Sequence, residues 1–188
     1  MLIDDFLPTY DHTEVHSVSV RADPHRCFSA VKELALSELS PLVHLLFAIR
    51  ALPSHLKGSR ERGQLVATEP ILEQILSRGF IRLAEDEREL VLGIIGRFWQ
   101  LADRSCPRID SPQSFLTFNQ PGYAKAVMNF YMDAQGDSST RVSTETRIYA
   151  TDVAAQRKFA MYWRIVHPGS ALIRRLWLKA IKHRVEHN

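Results

Sequence analysis

The chain has 188 residues, of which 45% are apolar and 24% charged, with 8 Gly and 9 Pro. This is the balance of one folded domain over residues 1–188 with a sizeable core, and it excludes disorder or low complexity as the main state. The formal net charge is +3. No apolar run reaches the roughly 18 to 20 residues of a bilayer span, and the acidic start lacks the basic opening of a secretory signal, so a cytoplasmic location is expected.

Residues 1–11 read as a flexible leader. Residues 12–21 then carry Val18 and Val20 in alternation, the pattern of a half-buried strand. Asp23-Pro24 follows, a capping acceptor with proline at the first helical position, and opens a short helix with Cys27, Phe28, Val31 and Leu34. Residues 34–63 read as an apolar helical insertion and a loop. Its greasy part, Pro41 to Leu52, is too short to span a bilayer and has to cover a core, a cavity mouth or a partner. Thr68 is expected to cap a helix presenting Ile71, Leu72, Ile75 and Leu76, with Gly79 ending it.

The period then changes to two. Gly79 to Glu85 and Arg88 to Trp99 form a predicted antiparallel hairpin around Asp86-Glu87, and Ser111-Pro112 caps a helical turn through Phe115 and Phe118. A second hairpin places Ala124, Ala126, Met128, Phe130 and Met132 on one face of its first strand. Val142, Thr144, Thr146, Ile148 and Ala150 share a face of the second strand, with Gln135 to Ser138 as the turn. The predicted sheet is apolar on one side only. Thr151-Asp152 caps a terminal helix from Val153, broken at Pro168-Gly169, with one apolar stripe of Phe159, Tyr162, Trp163 and Val166 and another of Leu172, Ile173, Leu176, Trp177, Ala180 and Ile181.

A one-sided sheet needs a cover, and the terminal helix is the element long enough to supply it. The expected fold class is α+β: a curved antiparallel sheet wrapped around a long C-terminal helix. In this order of elements the chain resembles the START-like, Bet v 1-like superfamily, also called SRPBCC, whose architecture is the helix-grip. The local matches are the first strand running into Asp23-Pro24-His25-Arg26-Cys27-Phe28-Ser29-Ala30-Val31, the hairpin Gly136 to Thr144, and Phe159 to Arg175 with Tyr162-Trp163. The resemblance implies a pocket between sheet and helix for a hydrophobic or amphipathic molecule. Its expected walls are Phe98, Met128, Phe130, Thr144, Thr146, Ile148, Tyr162 and Trp163. The same residues would serve a packed core, but Thr144 and Thr146 put hydroxyls on an inward face, where they need partners.

Motifs of reaction chemistry are few in the sequence. There is no glycine-rich phosphate loop and no Gly-x-Ser-x-Gly, and Ser170 beside His167 sits where a helix restarts and reads as a cap. His12 and His16 lie about 13 Å apart along a strand, too far to share a metal, and read as solvent-facing. His183 to His187 matches H-x-x-E-H but stands at the end of the sequence, with no cavity to enclose a metal. Cys27 and Cys106 have no metal-like spacing; Cys106 lies between Arg104 and Arg108 with no evident base, and Arg97, Glu145 and Arg147 read as exposed cross-strand ion pairing.

No catalytic residue, cofactor or metal is therefore expected. The leading expectation is a binding protein for a lipid, polyketide or isoprenoid-like molecule, noncatalytic or weakly catalytic. A cyclase or dehydratase-type enzyme of the same fold is the alternative, favoured by a carboxylate or histidine aimed inward. A third reading is a peripheral membrane or partner-binding module. Residues 152–188 hold eight Lys/Arg against Asp152 and Glu186, and residues 170–185 form a basic amphipathic helix with Trp177. No recognition motif accompanies this charge, so no nucleic-acid partner is expected.

Overall fold

In the computed structural model, residues 1–41, 43, 66–100, 107, 109–136 and 138–187 are described. Most of the expected apolar insertion, and Cys106, lie outside these residues. The elements are α1 (Ile3–Phe6), β1 (His12–Val20), α2 (Pro24–Glu33), a short 3-10 turn at Leu36–Glu38, α3 (Ile71–Leu76), β2 (Ile81–Glu85), β3 (Glu89–Gly96), α4 (Pro112–Thr117), β4 (Ala124–Ala134), β5 (Thr140–Ala150) and α5 (Val153–His187). Among the described residues the five strands form one antiparallel sheet in the order β1-β5-β4-β3-β2. α5 lies across it as the helix-grip arrangement requires, meeting β1, β5 and β4.

Local chemistry accounts for the boundaries. The Asp23 carboxylate accepts the Arg26 N–H at 3.0 Å and Pro24 occupies the first turn, which starts α2. The Ser111 hydroxyl accepts from the Ser114 N–H at 3.1 Å and starts α4 in the same way. Asp152 accepts from the Ala155 N–H at 2.9 Å at the head of α5. α3 begins one turn later than Thr68, after Pro70, and Gly79, at φ 100°, turns the chain into β2.

Register fixes which side chains share a face. Val18 pairs with Val142, His16 with Thr144, Glu14 with Thr146 and His12 with Ile148. Thr146 in turn pairs with Met128, and Met128 with Leu92. All of these belong to the inner face, toward α5. There Val20, Phe130, Met132, Val142, Trp177 and Ile181 pack with α2 and α3 into the largest core cluster. Trp177 is 4% exposed, so its stripe covers the sheet and is not an interfacial anchor.

Three expectations need correction. The sheet is not one-sided: Leu83, Val91, Ile95, Phe115 and Val127 form a second cluster on the outer face together with Ile3 and Leu7. The opening residues are therefore packed structure, with Ile3 fully buried, and not a free leader. Glu89, 2% exposed, fixes α1 by accepting the N–H groups of Leu2 at 2.6 Å and Ile3 at 3.2 Å, and it also accepts from Asn129 Nδ2 at 2.6 Å.

Arg147, second, is 7% exposed and not a surface charge. It donates to Glu145 at 2.6 Å and to the Leu7 carbonyl at 3.1 Å, and pairs with Asp4 at 2.8 Å. Burial pushes its pKa down, but the bonds to Glu145 and Asp4 outweigh this and raise it. Arg97 is not part of that cluster and lies over the Tyr123 ring at 4.5 Å. Third, α5 runs unbroken through Pro168, because the apolar stripes on both sides of the proline are held against one sheet.

Candidate functional site

The inner face carries a second apolar cluster beyond the main core. Its centre is Phe159 on α5, with ring centroids 5.7 Å from Trp163, 5.7 Å from Tyr162, 6.1 Å from Phe98 and 5.5 Å from His12. Ala124 and Ile148 form its floor on β4 and β5. Between this aromatic cluster and the main core lies a band of polar groups: Glu14 and His16 from β1, Thr144 and Thr146 from β5, and His167 and Arg174 from α5.

The strand period brings the band together. Glu14 and His16 are two apart on one strand and so point to the same side, and each faces a threonine across the ladder. His16 Nε2–H donates to Glu14 Oε1 at 2.7 Å, and His167 Nε2 approaches the same oxygen to 3.8 Å from the helix. Arg174 donates to Met128 Sδ at 3.2 Å. Glu14 is 7% exposed and Thr144 1%. Among the described residues, Glu14 Oε2 and Thr144 Oγ1 are buried without a hydrogen-bond partner. A buried acceptor left open costs about 1 to 3 kcal/mol, and more if it is charged.

The eight residues named from the sequence separate into three groups. Phe98, Ile148, Tyr162 and Trp163 come together around Phe159. Thr144 and Thr146 belong to the polar band, and Met128 borders it across the ladder from Thr146. Phe130 is away from both, packed in the main core 5.1 Å from the Trp177 ring. Sequence reasoning missed Glu14, His16, His167 and Arg174, and it placed His12 and His16 toward solvent. The signal was the alternation itself: carried back from Val20 and Val18, it puts His16, Glu14 and His12 on the inner face. Two open clefts lie elsewhere: one of about 1010 Å³ beside Asp23, Phe28, Lys32, Arg82 and Arg88, and one of about 340 Å³ beside Pro107, Ile109 and Phe118.

No protein-family model matches the chain, and no curated protein matches it. Similar solved structures include a protein of Thermus thermophilus, at 11% identity over 93% of this chain and 97% of that one, with a TM-score of 0.36. A hypothetical protein of Helicobacter pylori is 10% identical over 97% and 93% of the two chains, with a TM-score of 0.40. Norcoclaurine synthase of Thalictrum flavum, solved with dopamine and hydroxybenzaldehyde, is 10% identical over 94% and 88%, with a TM-score of 0.33. These likenesses concern the arrangement of strands and helix. Among the described residues no helix is long and apolar enough to cross a membrane, and no group of three or more His, Cys, Asp or Glu forms a metal site.

Proposed function

We propose that the chain binds a hydrophobic or amphipathic small molecule, of the lipid, polyketide or isoprenoid-like kind, at the seam between the sheet and α5. The observation that carries this reading is the buried Glu14 carboxylate, whose Oε2 is open on the same face as the equally open Thr144 hydroxyl, one pairing step along the β1–β5 ladder. The polar end of a ligand meets these two groups. Its apolar part lies on Met128, Ile148, Tyr162 and Trp163, where each Å² removed from water contributes roughly 25 cal/mol. Native mass spectrometry of gently purified protein, with uptake of the fluorophore Nile red, tests the reading. A mass lost on denaturation or saturable uptake is expected, with Trp163→Ala weakening the dye about tenfold, the equivalent of ~1.4 kcal/mol. A clean apoprotein that also takes up no dye contradicts it.

A second reading has its own observation. Ile165 is 80% exposed and Met161 66%, one turn apart on the outer side of α5, next to Arg157, Lys158 and Arg164. An apolar strip flanked by basic side chains suits an anionic membrane surface. Sedimentation with phosphatidylserine vesicles, lost at high salt and in Ile165→Asp, is the expected result. Equal sedimentation with neutral vesicles counts against it.

A further inference from the structure

We propose that Glu14 and His16 form a proton-transfer pair, in which His16 Nδ1 takes a proton from the molecule held at the seam; this rests on the binding reading above. A carboxylate only accepts hydrogen bonds, so the 2.7 Å contact assigns the hydrogen to His16 Nε2 and leaves the lone pair on Nδ1. The Glu14 side chain is 4% exposed and that of His16 13%. The carboxylate is thus withdrawn from water more completely than the imidazole. A neighbouring buried anion stabilises the imidazolium that forms when Nδ1 accepts a proton, and it holds the ring in one orientation. Glu14 is therefore a positioning residue and His16 the base.

The remaining groups around the pair suit the charge left on the substrate. Thr144 stands directly across the ladder from His16 with its hydroxyl unpartnered. From α5 the pair is faced by His167, 3.8 Å from Glu14 Oε1, with Arg174 and Tyr162 further along the same helix; from β1 it is flanked by His12. Hydroxyl, imidazole and guanidinium all stabilise an oxyanion. The substrate class is an amphipathic compound with a C–H next to a carbonyl. The C–H bond breaks, the proton moves to Nδ1, and the electron pair passes into the carbonyl as an enolate. Return of the same proton to another atom of that molecule completes an isomerisation without oxidant, reductant or co-reactant.

Nitrobenzisoxazole is the probe. A base removes its C–H proton, the N–O bond breaks, and the coloured cyanonitrophenolate is read by absorbance. The protein is expected to open the ring faster than an equal concentration of free imidazole. His16→Gln lowers the rate about a hundredfold. Glu14→Gln lowers kcat with KM for the probe little changed, because the ring loses the carboxylate that orients it; Glu14→Asp recovers part of that loss. Nile red uptake is measured on every variant. A protein that takes up the dye but shows no ring opening beyond free imidazole overturns the proposal, as does an unchanged rate in His16→Gln or an unchanged kcat in Glu14→Gln. Absence of dye uptake in the wild type defeats the binding reading instead.

Discussion

Glu14 and Glu89 are both buried carboxylates, and the difference between them separates a site from a structural device. Glu89 has its oxygens engaged by two backbone N–H groups and an amide. Its replacement by Ala strands those donors and is expected to cost about 3 kcal/mol in urea unfolding. Glu14 shares one oxygen with two imidazoles and leaves the other open. Glu14→Leu removes that open acceptor but also takes the partner from the His16 ring, so it is expected to cost less than Glu89→Ala, about 1 kcal/mol in urea unfolding, while removing function. Lys125 supplies a pH signature at the same scale. Burial lowers its pKa from the ordinary 10.5. Between the lowered value and 10.5 the unfolded chain binds more protons, so stability rises with pH across that alkaline window. Lys125→Met flattens that rise in urea midpoints measured against pH.

At the scale of elements, α5 shows tertiary packing overriding a local rule. Proline in a helix interior removes a backbone donor and clashes one turn back, at about 3 kcal/mol, and that penalty is why the sequence reads as two helices. The stripes either side, Phe159 to Trp163 and Trp177 to Ile181, pack on the same sheet and hold the rod continuous. Gly169 has open space where a Cβ would stand, so Gly169→Ala is expected to stabilise by about 0.5 to 1 kcal/mol in a thermal or urea transition. Gly93 behaves oppositely. A Cβ there meets Leu83 Cδ1 at 2.6 Å and the Phe115 ring at 3.0 Å, and Gly93→Ala is expected to cost about 1 to 3 kcal/mol. The hairpins, the capped starts at Asp23 and Ser111 and the faces of β4 and β5 were legible, because each is written in neighbouring residues. Glu14 and His16 were not read correctly, because polar side chains on an inner face break the pattern by which inner faces are recognised.

Over the whole molecule, the sheet is covered on both sides. α5, α2 and α3 close the inner face, and α1 with α4 closes the outer one. The outer cover was not legible because α1 has four residues, too few for any period, and its anchor Glu89 lies far along the sequence. Beneath α5, the seam holds Glu14 Oε2 and Thr144 Oγ1, buried and open on the same face. The most direct test is nitrogen-resolved NMR of the histidine and tryptophan rings, recorded while Nile red is added. His16 is expected to exist as the Nε2–H form with a free Nδ1, and its signals and those of Trp163 to shift with saturation while those of His183 and His187 stay fixed. A solvent-like tautomer mixture at His16, or dye-induced shifts confined to the Asp23–Arg88 cleft, would contradict it.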